Sequence, residues 1–397
     1  MHSLPCFFLV FSVIVCYALR GLNRRLIDLP EDVFVMQSLG YGIIGCGMMG
    51  REHIRNIQLL DQTAVTTIFE PDEQMRAEAK ILAPDAVFAS SLEEVVRSED
   101  VDCLVVASPN HLHKAQLDKI QNIAAKPLLM EKPLFTNPAD RPHLLEMKNS
   151  YAAPIWVGME YRYMPPVARL LDEMEEVTGG LKMVTIREHR FPFLQKVNDW
   201  NRFNRNSGGT FVEKCCHFFD LMRLMTNSEA VSVMASAGQA VNHLDERYDG
   251  QTPDIWDHGY VIVNFENGIR AMLELCMFAE ASQFQEEISV VGPAGKIEAK
   301  VPGPIRFWPE EAGPPPVPEL VISKRSPRQQ TIRPLPVDLA LLKAGDHNGA
   351  TFYQHQQFAE LVRYGGKPAV SLEDGLKAVD IGIAAQRSAE TGQTVYL

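Results

Sequence analysis

Residues 42–53 read Gly42-Ile43-Ile44-Gly45-Cys46-Gly47-Met48-Met49-Gly50-Arg51-Glu52-His53. An apolar run enters three glycines at G-x-G-x-x-G spacing, and a helical pattern over 51–60 leaves them, so the chain is constrained to a strand, a tight turn and a helix. Each glycine has its own physical job. Gly45 turns the chain, Gly47 removes the Cβ that would block a pyrophosphate, and Gly50 lets helix and strand pack closely. The anion then sits on the free N–H groups of the helix, beside Met48 and Met49, at the positive end of its dipole. Glycine-rich turns are common, so this feature needs support. Residues 63–70 supply it: a β-rich run ends in Glu70 about 20 residues past Gly50, where the ribose acceptor is expected. A carboxylate there bonds the 2′-hydroxyl and repels a 2′-phosphate, which favours NAD over NADP. The plainer reading is that Glu70 ends a strand and Asp72 caps the next helix.

At 397 residues the chain is long for a single core, so two domains are expected. The formal charge of −12 excludes nucleic acid as a general partner, because a phosphate backbone is bound by surplus Lys and Arg. Seven scattered cysteines, two of them adjacent, are not a disulfide framework. Residues 1–37 read as an extension. Within them, 4–19 are almost wholly apolar, about the length of a signal h-region and short for a membrane span. Cys16-Tyr17-Ala18 would pass as a cleavage site, Arg20, Arg24 and Arg25 would hold their side of an anchor in the cytoplasm, and Met36 reads equally as the true start. Reduced cysteines and the need for a dinucleotide favour a cytoplasmic body.

Strand-like runs at 63–70, 101–107, 127–130 and 155–158 alternate with helical patterns at 72–82, after the capping box Ser91–Glu94, and at 111–124. This alternation predicts a Rossmann-type, doubly wound parallel sheet over 38–157, with ligands outside the carboxyl ends of its strands. From 158 to 397 the character changes. Runs at 182–190, 231–236, 260–265, 269–277 and 287–291, with turns at 266–268 and 292–295, predict an open, mainly antiparallel sheet. The proline-rich stretch 302–336 reads as an elaborated loop or a ragged edge. A single helix is expected over 210–225.

Four motifs stand in order: Gly45-x-Gly47-x-x-Gly50, Glu131-Lys132-Pro133, Gly208-Gly209-Thr210 and Glu213-x-x-x-His217-x-x-Asp220. Together they resemble the glucose-fructose oxidoreductase/inositol dehydrogenase/rhizopine catabolism family (Gfo/Idh/MocA), from about residue 39 to the end. The resemblance implies an NAD(P)-dependent oxidoreductase acting on a secondary hydroxyl of a sugar, sugar derivative or cyclitol, a homo-oligomer (dimer or tetramer), and often a cis bond before Pro133. NAD is the expected cofactor, and some members with acidic residues near Glu70 still accept NADP. Ser108, Pro109, Asn110, His113 and Glu131 join the glycines, Glu70 and Lys132 as expected cofactor contacts.

Lys132 matches the family's lysine, which donates to the substrate hydroxyl and stabilises the developing alkoxide. A lone Lys-Pro is otherwise a surface turn. His217 matches the histidine that takes or gives the proton, with Glu213 one helical turn before it on the same face. Glu213 stands where most inositol dehydrogenase-like members have aspartate, and Lys214 is a further unusual charge. An amphipathic helix with a satisfied histidine is the plain alternative. Zinc is the rival chemistry for Glu213, Cys216 and His217, but residues 216 and 217 point about 100° apart on a helix and no further ligands complete a set, so no metal is expected. Tyr161, Arg162, Trp200, Arg202 and His347 are the candidate substrate contacts. Two other functions stay open: a member that hydrolyses glycosides by transient oxidation on tightly held NAD, and a non-catalytic dinucleotide-binding regulator.

Overall fold

The computed structural model describes residues 38–397; the expectations for 1–37 lie outside the described residues. Strands β1 (Leu39–Ile44), β2 (Thr63–Phe69), β3 (Val87–Phe88), β4 (Cys103–Val106), β5 (Leu128–Met130) and β6 (Ile155–Val157) form one parallel sheet in the order β3-β2-β1-β4-β5-β6. Helices α1 (Met48–Ile57), α2 (Glu73–Leu82), α3 (Leu92–Arg97), α4 (His113–Ile123) and α5 (Arg141–Ser150) connect them. This is the expected Rossmann order, which reverses between β1 and β4 and opens a crevice at that point. β1, β4, β5 and β6 are buried at every residue, as strands covered on both faces must be.

Local chemistry sets the helix starts. α1 begins directly after Gly47, three residues before the expected 51. Asp72 caps α2 by accepting from Met75 N at 2.9 Å. Ser91 caps α3 at 3.2 Å, while the Glu94 carboxylate returns to Ser90 N at 2.7 Å, one residue upstream of a regular capping box.

A second sheet of nine strands comprises β7 (Met183–His189), β8 (Ala230–Gly238), β9 (His258–Phe265), β10 (Arg270–Cys276), β11 (Glu286–Val291), β12 (Gly295–Val301), β13 (Glu319–Lys324), β14 (Gln329–Pro334) and β15 (Val395–Tyr396), in the order β14-β13-β12-β11-β7-β10-β9-β8-β15. It is antiparallel except where β7 meets β10. The long connection between those two strands permits a parallel crossover. The proline-rich stretch was expected to be a loop or edge, and the edge reading holds with two strands inside it. Pro318 precedes β13, Pro327 lies in the turn and Pro334 ends β14, so none interrupts a central ladder.

Helices α6 (Pro165–Thr178), α7 (Asn204–Ser207), α8 (Thr210–Glu213), α9 (Cys216–Thr226), α10 (Leu339–Ala344), α11 (Ala350–Tyr364) and α12 (Leu372–Thr391) complete the described chain. α6 packs on β12 and α12 on β8. The other face of the sheet is open, which gives β9 and β10 their alternating burial. The single helix expected over 210–225 is instead two, α8 and α9, with Lys214 and Cys215 between them. Among the described residues no helix is long and apolar enough to cross a membrane.

Candidate active site

A cleft of about 1090 Å³ lies over the carboxyl ends of β1, β4 and β5. Its floor is the glycine turn. Gly45 has φ +91°, and a Cβ there would meet the backbone of Ala107 and Ser108 at 2.8–2.9 Å. A Cβ on Gly50 would meet the Gly45 carbonyl oxygen at 2.1 Å, whereas one on Gly47 would meet no protein atom within 4 Å. Gly45 and Gly50 are therefore fixed by the fold, while Gly47 keeps open space above the start of α1. That open space is where a pyrophosphate would rest, so these residues fit a dinucleotide.

At one end of the cleft Glu70 accepts from Cys46 N at 2.5 Å and from Asp72 N at 2.9 Å, which anchors its carboxylate beside Met48, Met49, Arg51 and Met75. The other end gathers Ser108, Pro109, Asn110, Glu131, Lys132 and Glu213. His113 is placed elsewhere. It is fully buried, bonding Pro133 O at 2.8 Å and Ser108 O at 3.0 Å, and so braces two loops behind the cleft wall. Glu131 reaches the cleft but is held by His53 Nε2 at 3.0 Å and by the Lys132 N–H at 3.2 Å.

Glu213 is the hub of the polar end. One carboxylate oxygen accepts from the Asn110 amide and the other faces Lys196 Nζ at 3.3 Å. Its carbonyl oxygen accepts from Lys132 Nζ at 2.9 Å. The break between α8 and α9 makes this last bond available, since a continuous helix would commit that carbonyl to the His217 N–H. The Lys132–Pro133 peptide is cis. Burial pushes the Lys132 ammonium down, but Glu213, with Glu131 and Glu160 further off, outweighs it and holds its pKa above the ordinary lysine value. Burial would raise the Glu213 carboxyl; Lys196 and Lys132 hold it below the usual value.

His217 does not line this cleft. It is 2% exposed, stacked on Tyr161 at 4.1 Å and 6°, with its Nδ1 lacking a partner among the described residues. Burial, followed by Lys132 and Lys214, drives its pKa well below the ordinary histidine value. The break at Lys214 and Cys215 separates Glu213, which lines the cleft, from His217, which does not. Tyr161 is buried beneath the histidine and accepts from Lys214, which also pairs with Glu188 at 2.8 Å. Arg162 forms a buried pair with Asp220, Nε to Oδ2 at 2.6 Å, and donates to Ala369 O. Arg202 is buried on Glu246 at 2.8 Å and ties down the 194–202 loop.

His347 bonds Glu52 at 2.8 Å and lies 3.2 Å from Glu160, away from the cleft wall. Among the described residues these three form the one group with metal-ligand spacing, and the His347 ring already pairs with both carboxylates. Glu213, Cys216 and His217 do not converge: the Cys216 thiol turns back to the Glu213 carbonyl, and burial pushes its pKa up to about 12. Of the five substrate candidates Trp200 alone lines the cleft. Beside it stands Lys196, its ammonium 4.6 Å from the Trp200 ring centroid. Nothing in the sequence singled out this lysine, because a lone basic residue in an irregular loop carries no periodic or motif signal.

The parallel sheet and its glycine cradle define a dinucleotide-binding Rossmann fold, and the sequence comparisons place it in an oxidoreductase family. Residues 39–159 match the profile of the Gfo/Idh/MocA oxidoreductase family's NAD-binding Rossmann fold, and residues 174–397 match its C-terminal alpha/beta domain. The chain belongs to the Gfo/Idh/MocA family. It is similar to a myo-inositol 2-dehydrogenase of Thermotoga maritima, 25% identical over 90% of this chain and 98% of that one. An inositol 2-dehydrogenase of Acidiphilium cryptum is 28% identical over 68% of this chain and 75% of its own length. Among solved structures, a levoglucosan dehydrogenase complexed with NADH and levoglucosan superposes with a TM-score of 0.73 at 18% identity, covering 91% of this chain and 99% of that one.

Proposed function

We propose that this protein is an NAD-dependent dehydrogenase of a secondary hydroxyl on a sugar, sugar derivative or cyclitol. The observation that carries the reading is the convergence of Lys132, Asn110 and Glu213 at the end of the cleft remote from Glu70. The bound nicotinamide supplies the hydride acceptor. Lys132, held charged by Glu213, presents a fixed donor to the substrate oxygen, where it stabilises negative charge as that oxygen loses its proton. Asn110 and Lys196 fix the Glu213 carboxylate, so the donor set is oriented before substrate arrives. Trp200 offers an apolar face of the kind that stacks on a sugar ring. The relatives named for inositol and levoglucosan support an uncharged, hydroxyl-rich substrate.

The test is a panel of cyclitols, hexoses and anhydrosugars with NAD, followed at the NADH absorbance. Turnover of at least one polyol is expected, and NAD binding without turnover of any member would overturn the reading. Glu70 should hold NAD at least about tenfold more tightly than NADP, or about 1.4 kcal/mol, which titration of both cofactors measures. The open sheet face supports a homo-oligomer, a dimer or tetramer: Met234, Ile262 and Met272 are side by side in register, and Tyr260 is 54% exposed beside them.

A further inference from the structure

We infer that Glu246, on the connection between β8 and β9, is a positioning residue for substrate recognition: through Arg202 it fixes the loop that walls the substrate end of the cleft. The inference rests on the dehydrogenase reading above. It makes part of the polyol's binding depend on a carboxylate that does not line the cleft.

The wall belongs to the connection between β7 and α7. Lys196, Asn198 and Trp200 line the cleft from this side, and Asn110, His111 and Lys132 from the other. The loop pairs with no strand. Asn198 and Asp199 take left-handed φ values of +54° and +49°, and Asp199 N bonds Lys196 O at 2.9 Å, so the chain turns sharply between Lys196 and Trp200. What holds this turn against the cleft is its neck. The Leu194 carbonyl oxygen, at the near end, accepts from Asn201 Nδ2 at 3.0 Å and from Arg202 Nη1 at 3.5 Å, both from the far end. Asn201 and Arg202 are buried. Pinning both ends together restricts the conformations open to the residues between them, Lys196 and Trp200 included.

The aim of the Arg202 guanidinium is set from outside the loop. Nε donates to Glu246 Oε2 at 2.8 Å, and among the described residues Glu246 is the one carboxylate paired with it. A planar fork fixed along one edge has its other edge directed, here toward Leu194. Glu246 is itself held on both oxygens, by the Tyr248 hydroxyl at 2.8 Å and by His243 Nδ1 at 2.8 Å. Burial would raise its pKa, but the bonds from His243, Tyr248 and Arg202 hold it down to about 2. The rest of the β8–β9 connection forms the strut. At its foot Asp257 accepts from the N–H groups of Ala240, Val241 and Asn242 at 2.7–3.1 Å. Higher up, Asp254 accepts from Asn204 N at 2.7 Å and donates its own N–H to Arg202 O at 3.2 Å. Those two bonds hold backbone beyond the neck; the Glu246–Arg202 link alone reaches Leu194. Lys132 hangs on the Glu213 carbonyl, outside the loop. Loss of the link therefore loosens the wall that grips the substrate and leaves the charge at the reacting oxygen in place.

Two measurements test this. With a polyol that the native protein oxidises, Glu246→Gln should raise KM for the polyol at least about tenfold, while kcat at saturation and NAD affinity stay nearly native. Arg202→Lys, which keeps the charge but not the fork, should do the same. The double variant should be no worse than the poorer single, because both substitutions break one link. A native KM in Glu246→Gln, or losses of kcat and NAD affinity as large as the rise in KM, would overturn the assignment. Tyr248→Phe removes one bond from the same carboxylate and leaves the ion pair, so KM should move the same way by a smaller factor. If Glu246→Gln does not fold, this variant decides, and a native KM in it overturns the assignment. The second readout needs neither cofactor nor substrate. Trp200 is 8% exposed, so acrylamide should quench its fluorescence weakly in the native protein and more strongly in Glu246→Gln, the Trp200 signal being the difference from the same protein carrying Trp200→Phe. Unchanged quenching overturns the assignment. If no polyol is oxidised by the native protein, the dehydrogenase reading fails separately and the quenching alone decides on Glu246.

Discussion

Lys132 illustrates how far one residue's role depends on its partners. Its ammonium is anchored on a backbone carbonyl and surrounded by carboxylates, so it enters the reaction already charged and aimed. Interactions of that kind act mostly in the transition state, where negative charge develops on oxygen. Lys132→Met should therefore lower kcat by about a hundredfold to a thousandfold, corresponding to about 2.7–4 kcal/mol, with NAD affinity nearly unchanged. Single-turnover kinetics with a parallel NAD titration separate the two effects. Weakened NAD binding with unaltered turnover at saturating cofactor would move the lysine from the chemistry to the cofactor pocket.

At the scale of the element, the β1–α1 turn makes two demands that a substitution can pull apart. Gly50 packs on the Gly45 carbonyl, so Gly50→Ala forces a backbone clash at 2.1 Å and should lower thermal stability. Gly47→Ala meets nothing in the protein, and its φ of −60° suits any residue, so folding should be unaffected. The added methyl instead occupies the pyrophosphate's space. NAD should bind at least about tenfold more weakly, or about 1.4 kcal/mol. Melting curves without cofactor and NAD titrations of both variants distinguish stability from binding; a Gly47→Ala protein with native affinity would mean that the pyrophosphate does not approach this turn.

Across the whole molecule, a buried ionic cluster ties α1 to the segment after β6 and to the start of α11. Glu52, Glu160, His347 and Thr351 contribute, with Thr351 donating to Glu52 at 2.9 Å and also bonding Glu160. Burial alone would lower the His347 pKa, but Glu160 and Glu52 push it up to about 10. In the unfolded chain it returns to about 6.5. The folded state therefore binds the extra proton between those values, so the stabilisation is complete below about pH 6.5 and fades as pH rises through about 10. The urea midpoint should fall between pH 7 and pH 10, and His347→Asn, less stable at pH 7, should show a flatter dependence. An unchanged slope in that variant would place the pH sensitivity elsewhere.

The sequence by itself determined the parallel sheet, its order of strands and helices, and the glycine cradle. Those features are written in local periodicity and in residues, such as Gly45, whose backbone geometry few others can adopt. It also determined the family, because four motifs stand in register along the chain. What it could not determine is which side chains share the cleft. Arg162 and His347 look like ligand contacts in a linear reading, yet each is claimed by a buried carboxylate more than 50 residues away in sequence. The break at Lys214 and Cys215 is likewise a tertiary decision. Lys214 is drawn to Glu188 and Tyr161 while the Glu213 carbonyl is taken by Lys132, and long-range pairing of buried charges outweighs the few tenths of a kcal/mol by which local propensity would keep the helix continuous.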